Sequence, residues 1–103
     1  MDEQNNRCPH CAKKTARSEQ DKKRLMNRLK RIEGQVRGLQ NMLAQDAYCA
    51  DILTQTAAVK SSINAFNRDL LSLHIHGCVA RELRSGNDAV IDELTETVQK
   101  LMK

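Results

Sequence analysis

The chain has 103 residues, which fits one domain, and it carries a formal net charge of +4. Only Tyr48 and Phe66 are aromatic, so a helical monomer of this size would have a thin core and we expect it to oligomerise. The sequence has no apolar run long enough for a transmembrane helix, and residues 1–8 lack the apolar segment of a signal peptide, so we expect a cytoplasmic protein.

The positive charge is concentrated in the first part of the chain. Residues 1–40 hold 11 lysine and arginine residues against 5 acidic ones, whereas residues 41–103 hold 6 against 8. A basic segment of this kind indicates a polyanion as partner, and nucleic acid is the commonest in the cytoplasm. A solvated helix face would show the same charge bias.

Residues 1–17 show no hydrophobic periodicity and contain the only proline, so we predict a flexible N-terminal arm. The arm holds the motif Cys8-Pro9-His10-Cys11. Such a turn can bind zinc or Cu(I) or form a redox pair. It lacks the second ligand pair of a closed zinc finger, so Cys8 and Cys11 are interpreted as possible accessory thiols.

Residues 18–103 are predicted to form one all-α domain of three helices. Ser18 is the expected N-cap of the first helix, with Asp21 three residues later, and this helix runs to about Gln45. Its apolar positions advance in steps of three and four residues, and its other faces are basic. The apolar positions are Leu25, Leu29, Ile32, Val36, Leu39 and Leu43.

A short break at Asp46-Ala47 precedes a long second helix that starts near Tyr48. From Cys49 to Leu73 its apolar and small residues keep the three-and-four spacing of a heptad seam, which predicts packing on other helices. A glycine stop signal ends it around Ser85-Gly86-Asn87, and a third helix spans about 88–102.

Cys49, His74 and Cys78 are the candidate metal ligands. His74 and Cys78 are four residues apart and lie on one helical face, whereas Cys49 lies 25 residues before His74. That separation is about 37 Å along a continuous helix. Because one chain cannot bring the three together, we expect an antiparallel second chain to supply Cys49, with two such sites in a two-fold dimer.

Two thiolates and one imidazole suit a soft ion. Three-coordinate Cu(I) fits this set, whereas zinc would need a fourth ligand. His76 lies about 200° round the helix from both His74 and Cys78 and is left out of the ligand set. Buried cysteines and single histidines are often only structural, which is the alternative. No phosphate-binding loop or hydrolase motif is present, so we do not expect an enzyme.

Three blocks carry a family resemblance: NRLKRIEGQVRGLQNML (Asn27–Leu43), DAYCADILTQTAAV (Asp46–Val59) and LLSLHIHGCV (Leu70–Val79). In this order and spacing they resemble the copper-sensitive operon repressor family of bacterial transcriptional regulators. The resemblance covers about residues 20–102 and leaves out the arm.

The resemblance implies a three-helix protomer that forms an antiparallel four-helix-bundle dimer, with two dimers in a flat dihedral tetramer. It implies binding to double-stranded operator DNA without a helix-turn-helix, and release when an effector occupies a site between subunits. Cys49, His74 and Cys78 match the ligand positions of the copper branch. Tyr48 and Glu93 match groups that lie behind the ligands in that branch.

The sequence therefore predicts a homotetrameric repressor with Cu(I) as its effector, in which Arg28, Lys30, Arg31 and Arg68 contact DNA phosphates. One alternative is a persulfide- or oxidant-sensing repressor of the same family that forms Cys49–Cys78 crosslinks between chains. Another, from a different class, is a copper storage or transfer module that does not bind DNA.

Overall fold

A computed structural model of the chain describes residues 14–103, which form three helical elements and contain no β-strand. Helix α1 spans Glu19–Ala44. Helix α2 is α-helical over Cys49–His74, π-helical over Ile75–Val79 and α-helical again over Ala80–Arg84. Helix α3 spans Ala89–Leu101. The all-α prediction is confirmed, and Cys8 and Cys11 lie outside the described residues.

Helix α1 begins where the capping pattern predicts. The Ser18 hydroxyl accepts a hydrogen bond from the Asp21 backbone N–H at 3.0 Å, which satisfies one of the free donors of the first turn. Glu19 and Asp21 place negative charge at the positive end of the helix dipole. The predicted N-terminus of α1 is therefore confirmed.

The turn between α1 and α2 is a Schellman motif in which an aspartate occupies the usual glycine position. Asp46 has a φ of 55°, in the left-handed region. The Ala47 N–H donates to the Met42 carbonyl at 2.9 Å, and the Asp46 N–H donates to the Leu43 carbonyl at 3.1 Å. These bonds end α1 and reverse the chain direction, so that α2 packs along α1.

The same motif ends α2, here with glycine. Gly86 has a φ of 88°, its N–H donates to the Leu83 carbonyl at 3.1 Å, and the Asn87 N–H donates to the Glu82 carbonyl at 2.9 Å. This confirms the predicted stop signal. Helix α3 then packs against the π-helical turn of α2.

The π-helical turn departs from the single continuous helix that the sequence periodicity predicts for α2. Continuing the heptad steps beyond Leu73 places the next core position at Gly77, which is exposed, whereas the buried residue is Val79. A π-turn closes its hydrogen bonds one residue later than an α-turn and so delays the rotation of the helix. The break in the apolar stripe was a signal for this turn.

Within residues 14–103, a single chain buries very little apolar surface. The only buried hydrophobic side chains there are Leu25, Val59, Val79 and Val90. Many large apolar side chains of α1 and α2 remain exposed, among them Leu43 at 69% and Ile63 at 43%. Exposure of this extent at positions that the heptad pattern assigns to a core indicates that other helices cover them.

None of the helices in the described residues combines the length and apolar character that a membrane span needs.

Candidate metal centre and nucleic-acid interface

His74 and Cys78 line a single cleft of about 650 Å³ beside the π-helical turn. Both side chains are half-buried. A four-residue step is slightly more than one α-helical turn and slightly less than one π-helical turn, so the two side chains remain on the same side of α2. The structure thus brings together two of the three predicted ligands.

The Cys78 thiol contacts two polar side chains in the described residues. The Arg81 guanidinium donates from Nη2 to Cys78 Sγ at 3.6 Å, and the Thr15 hydroxyl oxygen accepts from the thiol at 3.7 Å. The chain segment before α1 therefore passes along the same cleft. Sequence reasoning missed Arg81, although its position three residues after Cys78 places it on the neighbouring helix face.

His76 is engaged elsewhere. Its ring nitrogen Nδ1 lies 2.8 Å from the Ser72 carbonyl oxygen, and the side chain is exposed. A carbonyl oxygen can only accept, so Nδ1 carries the proton in this contact and Nε2 keeps a free lone pair. The choice of His74 over His76 as the ligand candidate is supported instead by the cleft of about 650 Å³, which His74 and Cys78 line and His76 does not.

Glu93 of α3 lines the cleft that contains His74 and Cys78. Asp92 and Glu96 of the same helix line it as well. The contact of α3 with the π-helical turn places these carboxylates opposite the donor side chains of α2. Glu93 thus shares one cleft with both ligand candidates.

Cys49 and Tyr48 lie at the other end of α2. Tyr48 is the N-cap residue of the helix and is 74% exposed, and Cys49 is also exposed. The helix between Cys49 and His74 is unbroken, so the estimate of about 37 Å between them along its axis stands. In the described part of one chain, no three histidine, cysteine or acidic side chains are grouped so that they could hold a metal ion.

The candidate DNA-contacting residues are exposed, but they do not form one row. Arg31 is three residues from Arg28 and shares its face of α1, whereas Lys30 lies about 200° round the helix. Arg68 is exposed on α2. The four residues therefore present positive charge over several directions and not along a single stripe.

Arg28 is not a free cation, which the sequence analysis did not foresee. Its Nε donates to Asp69 Oδ2 of α2 at 3.2 Å. Arg24 binds the same carboxylate more extensively, from Nη2 to Oδ1 at 2.9 Å and from Nε to Oδ2 at 3.1 Å. Arg24 also pairs with Asp21 at 3.2 Å. The pattern of charges in the sequence gave no sign that Asp69, 41 residues after Arg28, would face α1.

This ion-pair cluster keeps Asp69 charged. Hydrogen bonds from Arg24, with smaller contributions from the charges of Arg24 and Arg28, hold the pKa of the Asp69 carboxyl below its ordinary value although partial burial opposes the shift. The hydrogen bond with Asp69 likewise raises the pKa of the Arg24 guanidinium. The cluster joins the first half of α1 to the second half of α2.

The sequence profile of a family described as metal-sensitive transcriptional repressor matches residues 21–100, most of the chain. The chain belongs to this family. The match covers α1, α2 and nearly all of α3, so the family sequence corresponds to the described helical domain and excludes the N-terminal arm.

Relatives of known type agree with this family assignment. The chain is 46% identical to a copper-sensing transcriptional repressor of Bacillus subtilis over 88 residues, which are 84% of this chain and 87% of the relative. A crystal structure of a copper-sensing repressor with Cu(I) from Geobacillus thermodenitrificans superimposes with a TM-score of 0.83 at 36% identity, covering 87% of this chain and 95% of that one. The nickel-responsive transcriptional regulator InrS superimposes with a TM-score of 0.68 at 31% identity, covering 84% and 96%.

The family assignment confirms the resemblance inferred from the three sequence blocks. As a member of the metal-sensitive transcriptional repressor family, the protein is a regulator and not an enzyme. The superposition on family structures also confirms the three-helix protomer.

Proposed function

We propose that the protein represses transcription by binding operator DNA and releases the DNA when Cys49, His74 and Cys78 hold Cu(I). The observation that carries this proposal is the sharing of one cleft by His74 and Cys78, with Cys49 at the opposite end of α2. Thiolate and imidazole donors favour Cu(I), which is stable with three ligands. Relatives described as copper-sensing support copper over other metals.

The proposed site is built from two chains. An antiparallel dimer places Cys49 of one protomer beside His74 and Cys78 of the other, and two-fold symmetry makes two such sites. The exposed apolar residues of α1 and α2 support this assembly because the helices of a second chain would cover them. We propose that the dimer is a four-helix bundle and that two dimers form a flat dihedral tetramer.

Glu93 and Tyr48 are proposed to act behind the ligands. Glu93 lines the cleft from α3, so a change at His74 and Cys78 can reach α3 through it. Tyr48 precedes Cys49 and caps α2, so a displacement of Cys49 reaches the turn at Asp46 through it. We propose that these two residues transmit occupancy of the site to the rest of the protomer.

Operator DNA is the proposed partner of the basic residues Arg28, Lys30, Arg31 and Arg68, in a cytoplasmic protein. None of the four is a ligand candidate, so Cu(I) and DNA do not compete for the same side chains. Release must therefore come from a change of shape that presents these residues poorly to the phosphates. Thermodynamic linkage then requires the DNA-bound protein to hold Cu(I) more weakly, by the same factor by which Cu(I) weakens DNA binding.

A second candidate function is a repressor that responds to persulfide or oxidant through Cys49–Cys78 crosslinks between chains. The state of the two cysteines favours it, because Cys49 is exposed, Cys78 is only half-buried and both thiols are free to react. In this function Cys8 and Cys11 of the arm would be accessory thiols. His74 has no necessary part in thiol chemistry, so it separates the two candidates.

Mixed dimers test the proposed site. Cys49→Ala chains and His74→Ala/Cys78→Ala chains each lack ligands in both sites of their own dimers. In a heterodimer of these two kinds of chain, one site has all three ligand residues and the other site has none. We therefore expect neither parent to bind Cu(I) tightly in an anaerobic titration against a competing chelator, and the heterodimer to bind about one ion per dimer.

A matched control mixes Cys49→Ala chains with Cys49→Ala/His74→Ala/Cys78→Ala chains, which cannot form a complete site. A correctly assembled heterodimer that binds no more Cu(I) than this control would contradict the two-chain site.

A further inference from the structure

In the cluster formed by Arg24, Arg28 and Asp69, the two arginines use their N–H donors differently. The proposed function does not account for this difference. Arg24 is bound to carboxylates through all three of its nitrogens, since its Nε and Nη2 bind Asp69 and its Nη1 binds Asp21. Arg28 is bound only through Nε. Its Nη1 and Nη2 make no hydrogen bond to any residue from 14 to 103 that the structure records, and its side chain is 44% exposed.

A guanidinium held at Nε points its two terminal nitrogens away from the carboxylate. Those nitrogens form the fork that binds a phosphate through two parallel hydrogen bonds. Without an anchor, a long arginine side chain must lose its rotamer freedom when it binds. The anchor on Asp69 removes part of that loss in advance.

The Asp69 carboxylate is shared unequally between the two arginines. Its side chain is only 18% exposed, and Arg24 takes both of its oxygens in a bidentate pair, whereas Arg28 takes one. Asp21 pairs with Arg24 in turn, so the four side chains together carry no net charge. The attraction of Arg28 for a phosphate therefore rests on its exposed terminal nitrogens and not on a surplus of positive charge.

We propose that Asp69 is a positioning residue for operator binding. It holds Arg28 by Nε so that the terminal fork of Arg28 faces a DNA phosphate, while Arg24 binds both oxygens of Asp69. The inference rests on the proposed function, because it assumes that Arg28 contacts operator DNA. It adds an acidic residue on α2 to an interface that charge alone would assign to basic residues.

A double-mutant cycle tests this role. The probes are an operator duplex selected by the wild-type protein from a randomised pool and a scrambled duplex of equal length. Asp69→Asn removes the anchor charge and keeps the side-chain shape. We expect Asp69→Asn to weaken operator binding about tenfold, a typical coupling for residues that share one network, and to leave binding to the scrambled duplex equal or tighter because a negative charge is lost. In an Arg28→Ala background the same substitution should cause no further loss.

Further variants keep the test decisive. Arg28→Lys retains the charge but has no fork to position, so it should weaken operator binding nearly as much as Arg28→Ala and be insensitive to Asp69→Asn. If Asp69→Asn fails to fold, as judged by circular dichroism, Asp69→Glu replaces it in the cycle: it keeps the charge but moves the carboxylate, and it should weaken operator binding only when Arg28 is present. Asp51→Asn makes the same charge change on α2, where Asp51 has no ion pair with residues 14–103, and should not weaken operator binding.

Three outcomes would overturn the inference. They are tighter or unchanged operator binding by Asp69→Asn, an equal loss with and without Arg28, and wild-type-like binding by Arg28→Lys. If the wild-type protein prefers the operator to the scrambled duplex, any one of these outcomes rejects the role of Asp69 but leaves the proposed function standing. A wild-type protein that shows no such preference rejects both.

Discussion

At the scale of single residues, the proposed response to copper depends on which histidine near the π-helical turn faces the cleft. His74 lines the cleft with Cys78, whereas the Nδ1 of His76 donates to a backbone carbonyl. The two histidines are the same residue type and are separated by only one residue. The helix rotation between them places them on different faces and so distinguishes their roles.

His74→Ala should therefore keep operator binding and lose most of the Cu(I) response, because the site retains only its two thiolates. We expect Cu(I) affinity, measured against a competing chelator, to fall by more than the roughly 10- to 100-fold that loss of an outer-shell group causes. His76→Ala is the matched control and should respond to Cu(I) like the wild type. If His74→Ala keeps its full copper response, the Cys/His/Cys ligand set is wrong, and a retained response to a persulfide donor would favour the sulfur-sensing alternative.

At the scale of helices and turns, the two Schellman motifs use different residues for the same backbone conformation. Asp46 ends α1 with a φ of 55°, and Gly86 ends α2 with a φ of 88°. The left-handed region is disfavoured for a residue with a Cβ atom, although aspartate tolerates it better than most. The turn at Asp46 therefore stores a small strain that the turn at Gly86 avoids.

Asp46→Gly should stabilise the protein by up to about 1 kcal/mol per chain, because relief of the left-handed strain exceeds the added flexibility of the unfolded chain. Gly86→Ala should do the opposite, since a Cβ is forced into the left-handed region even though no atom lies within 4 Å of its position. Thermal unfolding at a fixed protein concentration measures both. A lower melting temperature for Asp46→Gly would show that the Asp46 side chain stabilises the turn in some other way.

The helices were predictable to the extent that local chemistry defines them. The Ser18 cap, the break at Asp46-Ala47 and the stop at Gly86 are each set by a few neighbouring residues, and all three appear as expected. The π-helical turn was not predicted because a uniform α-helical period was applied to all of α2, whereas the apolar stripe breaks at Gly77 and resumes at Val79.

In the candidate site as well, features set by neighbouring residues could be predicted and contacts between distant segments could not. Helix spacing correctly joined His74 to Cys78 in one cleft, because both lie within one turn of one helix. The pairing of Arg28 with Asp69 could not be predicted, since it depends on how α1 and α2 align after the turn at Asp46. The contribution of Cys49 to the site remains a prediction, because Cys49 would come from a second chain.

At the scale of the whole molecule, we propose that a metal site between two protomers controls a DNA surface on α1. The ligand candidates and the basic residues share no side chain, so the only connection between them is the arrangement of helices in the assembly. The cleft at His74 adjoins α3 and the π-helical turn, whereas the Arg24–Asp69 cluster joins α1 to α2 only five residues before His74. A shift of this part of α2 therefore reaches both sites.

The most direct test is the Cu(I) affinity of the free protein and of the same protein saturated with operator DNA, each measured anaerobically against one chelator. If Cu(I) weakens operator binding a hundredfold, Cu(I) affinity must be a hundredfold lower on the DNA-bound protein, a coupling of about 2.7 kcal/mol. Arg28→Ala should weaken operator binding and flatten its salt dependence, yet leave the Cu(I) affinity of the free protein nearly unchanged. Equal Cu(I) affinity for the free and DNA-bound protein would contradict allosteric control of DNA binding by this site.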